Sequence, residues 1–222
     1  PGDKLWTERP ARAENHVGPA AIRLDDETGF SFLDVDADTV QMRLTAGVIH
    51  VSVRRLDGSE QIEIDTPNVA LTLLREGTYR VEVNDAGDST VVKVREGAAE
   101  ATGPSQEVVV HAGQSVTFTG TDDIVAQINT LGPPDGFDSW SEERDRRDVR
   151  LASSRTAEYV SPEVTGYEDL EEHGTWSSEA EYGYVWTPRY VAVDWAPYRY
   201  GRWVWVSPWG YTWIDDARWG YG

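Results

Sequence analysis

The sequence has no cysteine, few lysines and no long apolar run. Without cysteine, disulfides, thiolate zinc sites, iron–sulfur clusters and covalently attached haem are excluded. No apolar run approaches the roughly 20 residues that span a bilayer, so we expect no membrane span in this chain. The first residues, PGDKLWTERP, lack the basic start and apolar middle of a signal peptide. We therefore expect a mature form or an excised fragment.

Positive charge is scarce. Lys4 and Lys93 are the two lysines, and 20 basic residues face 39 acidic ones, which gives a formal net charge of −19. A surface this negative repels phosphate backbones at long range. We therefore expect no nucleic-acid partner.

Apolar and polar residues alternate through the range 1–130, as in half-buried antiparallel strands. Val40, Met42 and Leu44 alternate with polar residues, and short runs of the same kind recur along the range. The further runs are Ile49 to Val53, Ile62 and Ile64, Val69 to Leu73, Tyr79 to Val83, Val92 and Val94, Val108 and Val110, and Val116 and Phe118. Strands at this spacing predict a sandwich or barrel.

A short unit recurs within these strands: an apolar residue, two others, then glycine. It occurs in LTAGVIHVSV, LREGTYRVEV, VREGAAEAT and VHAGQSVTF. Since glycine adopts positive φ without strain, we interpret these four residues as formers of tight hairpin turns. They are Gly47, Gly77, Gly97 and Gly113.

Two prolines in GPPDGFDSWSEERDRRDVR, residues 132–150, end the sheet region. Glu142 and Arg146, like Glu143 and Arg147, are spaced i to i+4 with the acid first, which favours a helix. We predict a short charged helix near 137–149 that docks through Phe137 and Trp140, followed by a looser stretch, LASSRTAEYV.

The range 159–222 is rich in aromatic residues, with eight of the ten tryptophans and nine of the ten tyrosines. Aromatic-Gly triplets begin at 182, 200, 209 and 219 and indicate turns between very short strands. YEDLEEHG predicts a single helical turn closed by Gly174. In RWVWV, Trp203 and Trp205 lie on one strand face and Val204 and Val206 on the other, so we expect both faces to be covered.

GDKLWT, EIDTPNVALTLLREGTYRVEV, TVVKVREG and VVVHAGQSVTFTG resemble the FecR-type β domain, known from periplasmic parts of sigma-factor regulators in Gram-negative bacteria. This likeness spans residues 1–120. YVSPEVTGYEDLEEHGTW, YGYVWTP and VDWAPYRYGRWVWVSPWGYTWIDDARWG resemble a tryptophan-rich module of unknown function, of the DUF6600 type, which follows such β domains in many secreted or periplasmic proteobacterial proteins.

The resemblance implies an exported all-β scaffold, with periplasmic or extracellular localisation in a Gram-negative bacterium and no known enzymatic activity. We expect an antiparallel sandwich or jelly-roll-like FecR domain over 1–130, a linker with a short charged helix over 131–158, and a small Trp/Tyr-rich β module over 159–222. Known β domains of this family begin upstream of GDKLWT, and the module continues past WGYG. The chain is therefore expected to be an excerpt that lacks the anti-sigma segment and membrane helix of a complete regulator.

Two acidic motifs resemble sites but fall short of them. Asp34, Asp36 and Asp38 alternate as at the start of a calcium loop, but the glycine and glutamate that such a loop needs are replaced by threonines. We interpret this motif as an acidic turn.

Asp215 and Asp216 sit beside aromatics, as in glycosidases, yet neighbours in a strand point to opposite faces. The four histidines match no ligand spacing. We predict no enzyme activity, metal site or cofactor.

The tryptophans offer the candidate contact site. A module of about 60 residues without disulfides or metal stabilises itself by burying large side chains, so we expect most tryptophans in the core and the remainder exposed. Trp209 and Trp219, beside turns, are the first candidates for exposure. The full candidate set for contact with a protein partner or a glycan is Trp209, Trp219, Trp203, Trp205, Tyr211 and Arg202.

Three functions remain open from the sequence. The first is a non-enzymatic exported interaction or scaffold module of the cell envelope that binds a protein partner. The second is carbohydrate or peptidoglycan binding through exposed tryptophans. The third is self-assembly into a homo-oligomer or extracellular fibre through an open sheet edge near the strand at 11–17, since an uncovered edge recruits strands from other chains.

Overall fold

The computed structural model of the protein describes residues 2, 4–36, 38–56, 58, 60–104, 106–161, 167–191, 193–206 and 210–216. It contains two compact units, residues 1–142 and residues 143–222. Among the described residues, no helix combines the length and apolar character needed to cross a membrane.

The first unit is built from thirteen described strands. They are β1 Lys4–Thr7, β2 Ala13–Val17, β3 Ala20–Leu24, β4 Thr28–Val35, β5 Thr39–Val53, β6 Gln61–Asp65, β7 Ala70–Leu73, β8 Gly77–Val83, β9 Ser89–Glu96, β10 Ala98–Thr102, β11 Glu107–His111, β12 Gln114–Thr119 and β13 Val125–Thr130. The predicted all-β class and the predicted strand positions are confirmed.

The long strand β5 joins two sheets. Its first half pairs with β4 and β6 in a sheet ordered β1-β4-β5-β6-β7-β10-β11. Its second half pairs with β3 and β8 in a sheet ordered β2-β3-β5-β8-β9-β12-β13. The pairing of β5 with β6 is parallel, a local departure from the expected antiparallel sandwich, while the other recorded pairs are antiparallel.

One hydrophobic core receives side chains from both sheets. Leu44 and Leu71 of the first sheet and Val51 and Phe118 of the second belong to the same buried cluster. In β9 burial alternates strictly, with Val92 and Val94 fully buried and their neighbours partly exposed. This period-two burial is the physical origin of the alternation read from the sequence.

The prediction that four glycines form hairpin turns is wrong. Gly47 lies inside β5, where the strand leaves the first sheet for the second. The other three begin or precede strands that lie in the opposite sheet from the strand before, namely Gly77, Gly97 and Gly113. The repeated unit therefore marks corners between sheets, where the chain also needs a conformation that glycine adopts without strain.

Gly97 shows why a corner requires glycine. Its φ is +92°, and a Cβ added there would collide with the Tyr79 hydroxyl and the Glu76 carbonyl oxygen. That hydroxyl is itself fixed, since it donates to the Arg75 carbonyl oxygen at 2.6 Å. Strand β10 can therefore approach β8 closely only without a side chain at position 97.

The helix α1, Gly136–Ala152, confirms the charged helix predicted near 137–149. Its first turn is capped by Asp135, whose Oδ1 accepts the backbone N–H groups of Phe137 and Asp138 at 2.8 and 2.9 Å. The Asp138 carboxylate in turn accepts the backbone N–H of Asp135 at 3.1 Å, so the two residues form a reciprocal pair, as in a capping box.

Two arginines of the second sheet hold this capped turn. Arg80 donates to Asp135 and Asp138 at 2.7 and 3.0 Å, and Arg95 donates to Asp138 at 2.8 Å. Burial raises the pKa of the Asp138 carboxyl, but the hydrogen bonds from Arg80 and Arg95 outweigh it and hold that pKa below its ordinary value. Phe137 is buried and its ring lies 6.3 Å from that of His50, so docking through this residue is confirmed.

The second unit contains two further helices and two hairpins. The helices are α2 Arg155–Tyr159 and α3 Tyr167–His173, and the hairpin strands are β14 Gly174–Glu179 with β15 Gly183–Pro188 and β16 Gly201–Val206 with β17 Gly210–Asp215. The stretch 151–160, predicted to be looser, contains the end of α1 and the short helix α2, in which Thr156 is fully buried. The helical turn predicted at 167–174 is confirmed as α3, which ends directly before Gly174, the first residue of β14.

Candidate functional site

The hairpin β16–β17 places its large aromatic residues on one face. Trp203 pairs with Trp213 and Trp205 pairs with Tyr211 across the two strands, so the four side chains share a face. We call these four residues the aromatic face. Val204, Val206, Thr212 and Ile214 lie on the opposite face, as expected from the alternation of RWVWV.

The aromatic face is the more exposed of the two. Trp203, Trp205 and Tyr211 are 58%, 65% and 71% exposed, whereas Val204 and Val206 are half-buried. The expectation that both faces are covered is therefore wrong. Trp213, the fourth member of the aromatic face, is half-buried.

The structure brings together three of the six candidate residues, Trp203, Trp205 and Tyr211. Arg202 is exposed but belongs to the opposite face, paired with Ile214. Trp209 and Trp219 lie outside the described residues. Of the six tryptophans described in this module, Trp203 and Trp205 are exposed and the other four are half-buried, so the expectation that most lie in the core is met only in part.

Tyr198 extends the aromatic face. Its ring stacks parallel to Trp203 at 6.1 Å and meets Trp213 edge-on at 5.7 Å. The residue has φ of +60°, which is uncommon for a side chain of this size. Tyr198 was not singled out by its sequence pattern.

The base of the hairpin is held by polar contacts. Asp215 is buried and its Oδ2 accepts the Trp213 Nε1–H at 3.3 Å. The backbone N–H of Asp216 donates to the Tyr200 carbonyl oxygen at 3.0 Å. These contacts give Asp215 a structural role in orienting an indole, rather than the role of a carboxylate flanking a sugar.

Tyr200 and Asp194 form a second polar contact near this hairpin. The Tyr200 hydroxyl donates to Asp194 Oδ2 at 2.6 Å. This hydrogen bond raises the pKa of the Tyr200 phenol above its ordinary value. The Asp194 carboxylate is thus engaged by a tyrosine.

The hairpins β14–β15 and β16–β17 are copies of one unit. At an offset of 27 residues, Gly174, Trp176 and Trp186 correspond to Gly201, Trp203 and Trp213, and the Gly-Tyr pair at 183–184 corresponds to that at 210–211. The strand registers are the same, with glycine opening the first strand and tryptophan pairing with tryptophan. In both copies a Cβ on the opening glycine would collide with the tryptophan of the second strand.

The first copy has its two tryptophans half-buried against helices, while Tyr184 remains 58% exposed. Trp176 Nε1 donates to Thr156 Oγ1 of α2 at 3.0 Å, and Trp186 Nε1 donates to the Leu170 carbonyl oxygen of α3 at 2.8 Å. Tyr159 of α2 packs on Trp176 at 5.1 Å and stacks on Tyr184 at 4.1 Å. Sequence reasoning missed these residues, although the 27-residue offset of identical residues would have revealed them.

The other acidic motif is structural. Between β4 and β5, Asp36 Oδ1 accepts the backbone N–H groups of Asp38 and Thr39 at 2.8 and 2.7 Å. The predicted acidic turn is therefore confirmed, and its first carboxylate serves the turn itself.

Comparison with known proteins supports both resemblances. Residues 3–100 match the FecR protein family, and residues 167–222 match DUF6600, a family of unknown function. No curated protein matches the chain.

Two crystal structures of a candidate anti-sigma factor from Parabacteroides distasonis, at 1.65 and 2.50 Å resolution, are similar to it. Each has a TM-score of 0.50 and 14% sequence identity, and the match covers 58% of this chain and 60% of the solved chain. At this identity the likeness shows the fold alone.

Proposed function

We propose that this chain is a non-enzymatic interaction module of a signalling system in the Gram-negative cell envelope, and that it binds a protein partner through the aromatic face of β16–β17. The FecR match over residues 3–100 supports a regulatory role. The similar fold of a candidate anti-sigma factor points in the same direction.

The observation that carries the proposal is the exposure of Trp203, Trp205 and Tyr211 on one face of a small hairpin. Contiguous exposed apolar patches on soluble proteins mark interaction sites. Tryptophan and tyrosine are also the residues most enriched among those that dominate binding energy at protein interfaces. Two strands fix the spacing of the rings, so the face is ordered before a partner arrives, which lowers the entropic cost of binding.

Quantitative affinity capture tests the proposal. The full-length protein, tagged and expressed in a Gram-negative host that carries its native partners, is captured from the envelope fraction in the wild-type form and with Trp203→Ala, Trp205→Ala and Tyr211→Ala combined. Loss of roughly 2 kcal/mol of binding energy at such residues weakens the affinity for the partner about thirtyfold, so recovery of the partner should fall.

The control for capture is Trp6→Ala, since Trp6 is also 60% exposed but lies in β1 of the other unit. Recovery of the partner should be unchanged in this variant. Equal recovery by the triple variant and the wild type would contradict the proposal, as would recovery of the protein in the cytoplasmic fraction alone.

Glycan binding and self-assembly, the two other functions left open by the sequence, are tested by separate measurements. A glycan ligand would bind purified polysaccharide or peptidoglycan fragments without any protein partner, again in a manner sensitive to Trp203→Ala. Self-assembly would appear in light scattering as growth that depends on concentration. Within the described residues the outermost strands are β1, β2, β11 and β13, and β2 is the strand predicted near 11–17.

A further inference from the structure

We infer that the aromatic face of β16–β17 receives a short amphipathic helix of the partner protein, in the same way that α2 and α3 cover the first hairpin. This inference rests on the proposed function and names the kind of segment that occupies the face. It follows from the internal repeat and from what the first copy shows about the requirements of such a face.

The cover of the first hairpin supplies three things. A side-chain hydroxyl, that of Thr156, accepts the Trp176 indole N–H, and it passes a hydrogen bond on by donating to Glu171 Oε2 at 2.7 Å. A backbone carbonyl in the middle of α3, that of Leu170, accepts the Trp186 indole N–H. An aromatic ring, that of Tyr159, lies across the cross-strand aromatic residues.

Two of these three roles are performed at the second copy by residues of β17 and of the segment before β16. Asp215 takes the place of the Leu170 carbonyl by accepting the Trp213 N–H. Tyr198 takes the place of Tyr159 by packing on Trp203 and Trp213. Asp215 and Tyr198 make equivalent contacts, but they do not correspond to Leu170 and Tyr159 at the 27-residue offset.

The third role, that of a hydroxyl that accepts an indole N–H, is needed at Trp203, the counterpart of Trp176. Within the described residues no hydrogen bond from Trp203 Nε1 is recorded, and the side chain is 58% exposed. The second copy also carries Trp205 where the first has Ser178, which widens the apolar area toward the tip. A helix that presents a hydroxyl to Trp203 and apolar side chains to Trp205 and Tyr211 fits these features.

A synthetic peptide of residues 153–173, which contains α2 and α3, serves as the probe. Staples in both helical segments keep the peptide helical, and circular dichroism confirms its helicity before use. Binding to the full chain is followed by fluorescence anisotropy of a dye on the peptide. We expect saturable binding that Trp203→Ala weakens at least about tenfold, the effect of losing one strong contact residue.

A matched pair of peptide variants separates the helix contacts from general stickiness. The peptide with Thr156→Val should bind more weakly, whereas Ser153→Ala, an uncharged change that lies before α2, should leave binding unchanged. The peptide carries one arginine and six acidic residues, and the chain has a net charge of −19. Added salt should therefore strengthen binding by screening like charges.

Three results would overturn the inference: a confirmed helical peptide that does not bind, binding insensitive to Trp203→Ala, or equal binding of the Thr156→Val peptide. The proposed function fails separately, if the triple variant of the aromatic face captures its partner as well as the wild type. Capture that depends on the face together with absence of peptide binding would mean that the partner docks through a non-helical segment.

Discussion

Trp176 and Trp203 occupy equivalent positions in two copies of one hairpin but lie in different surroundings. The Trp176 indole is partly buried and bonded to Thr156 of α2, whereas the Trp203 indole is 58% exposed and touches Tyr198. The first copy of the hairpin therefore uses this tryptophan to stabilise the chain. The second copy exposes the equivalent tryptophan at the surface.

Substitution at these two positions should separate the roles. Trp176→Phe removes the indole N–H and leaves the buried Thr156 hydroxyl with one partner fewer, so we expect a loss of about 1–2 kcal/mol in the free energy of unfolding. Trp203→Phe should change it by less than about 0.5 kcal/mol, as for other exposed sites. Urea unfolding followed by far-ultraviolet circular dichroism gives both values, and equal losses would contradict the distinction.

The arginine pair that holds the start of α1 makes a second prediction. Arg80→Met removes two charged hydrogen bonds from Asp135 and Asp138, and Asp138 is almost fully buried. Leaving such a carboxylate with fewer partners costs about 3 kcal/mol.

The matched control for Arg80→Met is Arg43→Met, because Arg43 pairs with Asp65 at 3.6 Å on the surface with half of its side chain exposed. This exposed pair should contribute less than about 1 kcal/mol. Thermal unfolding of the two variants side by side measures the difference, and similar shifts would contradict the role of Arg80.

The same contact predicts a dependence on acid. The pKa values of Asp135 and Asp138 lie below their ordinary value of 3.8 in the folded state. Their stabilising contribution is therefore complete above that value and is lost as the pH falls through the lower folded pKa. We expect the free energy of unfolding to drop over this acidic range in the wild type and to drop less steeply in Asp138→Asn. Parallel curves for the two proteins would refute the prediction.

The corner glycines allow a test of the fold. Gly97→Ala places a Cβ against the Tyr79 hydroxyl at a φ of +92°, so it should cost more than about 2 kcal/mol through strain and steric conflict together. Gly113 has a similar φ of +83°, but a Cβ there meets nothing within 4 Å. Gly113→Ala should therefore cost about 1 kcal/mol, and an equal cost in calorimetry would show that the close approach at Gly97 has no energetic effect.

Local pattern was enough to predict much of the first unit. Strands such as β9 bury alternate side chains, and this burial imprints a period of two on the sequence. The i to i+4 charge pairs likewise indicated α1. The glycines were misread because hairpins and sheet corners both require positive φ, and only the pairing of the strands distinguishes them. Parallel pairing of β5 with β6 depends on long-range contacts that no local pattern carries.

The burial of individual tryptophans, by contrast, could not be predicted from the sequence. Composition indicates an aromatic-rich module but not which rings are buried, since the same residue type stabilises cores and interfaces. Trp176 and Trp203 each follow a strand-opening glycine by two residues and pair with a tryptophan, yet α2 contacts the first. The 27-residue repeat was available in the sequence, while the unequal cover of its two copies depends on tertiary structure.

Photo-crosslinking from the aromatic face tests the central claim most directly. Benzoylphenylalanine replaces Trp205 in the protein expressed in its native host, and Trp6 in a matched control. Both side chains are mostly exposed, at 65% and 60%, so both probes reach solvent. The account predicts a discrete protein adduct from position 205 that is absent from position 6 and is abolished by Trp203→Ala with Tyr211→Ala. No protein adduct from position 205, or the same adducts from both positions, would contradict it.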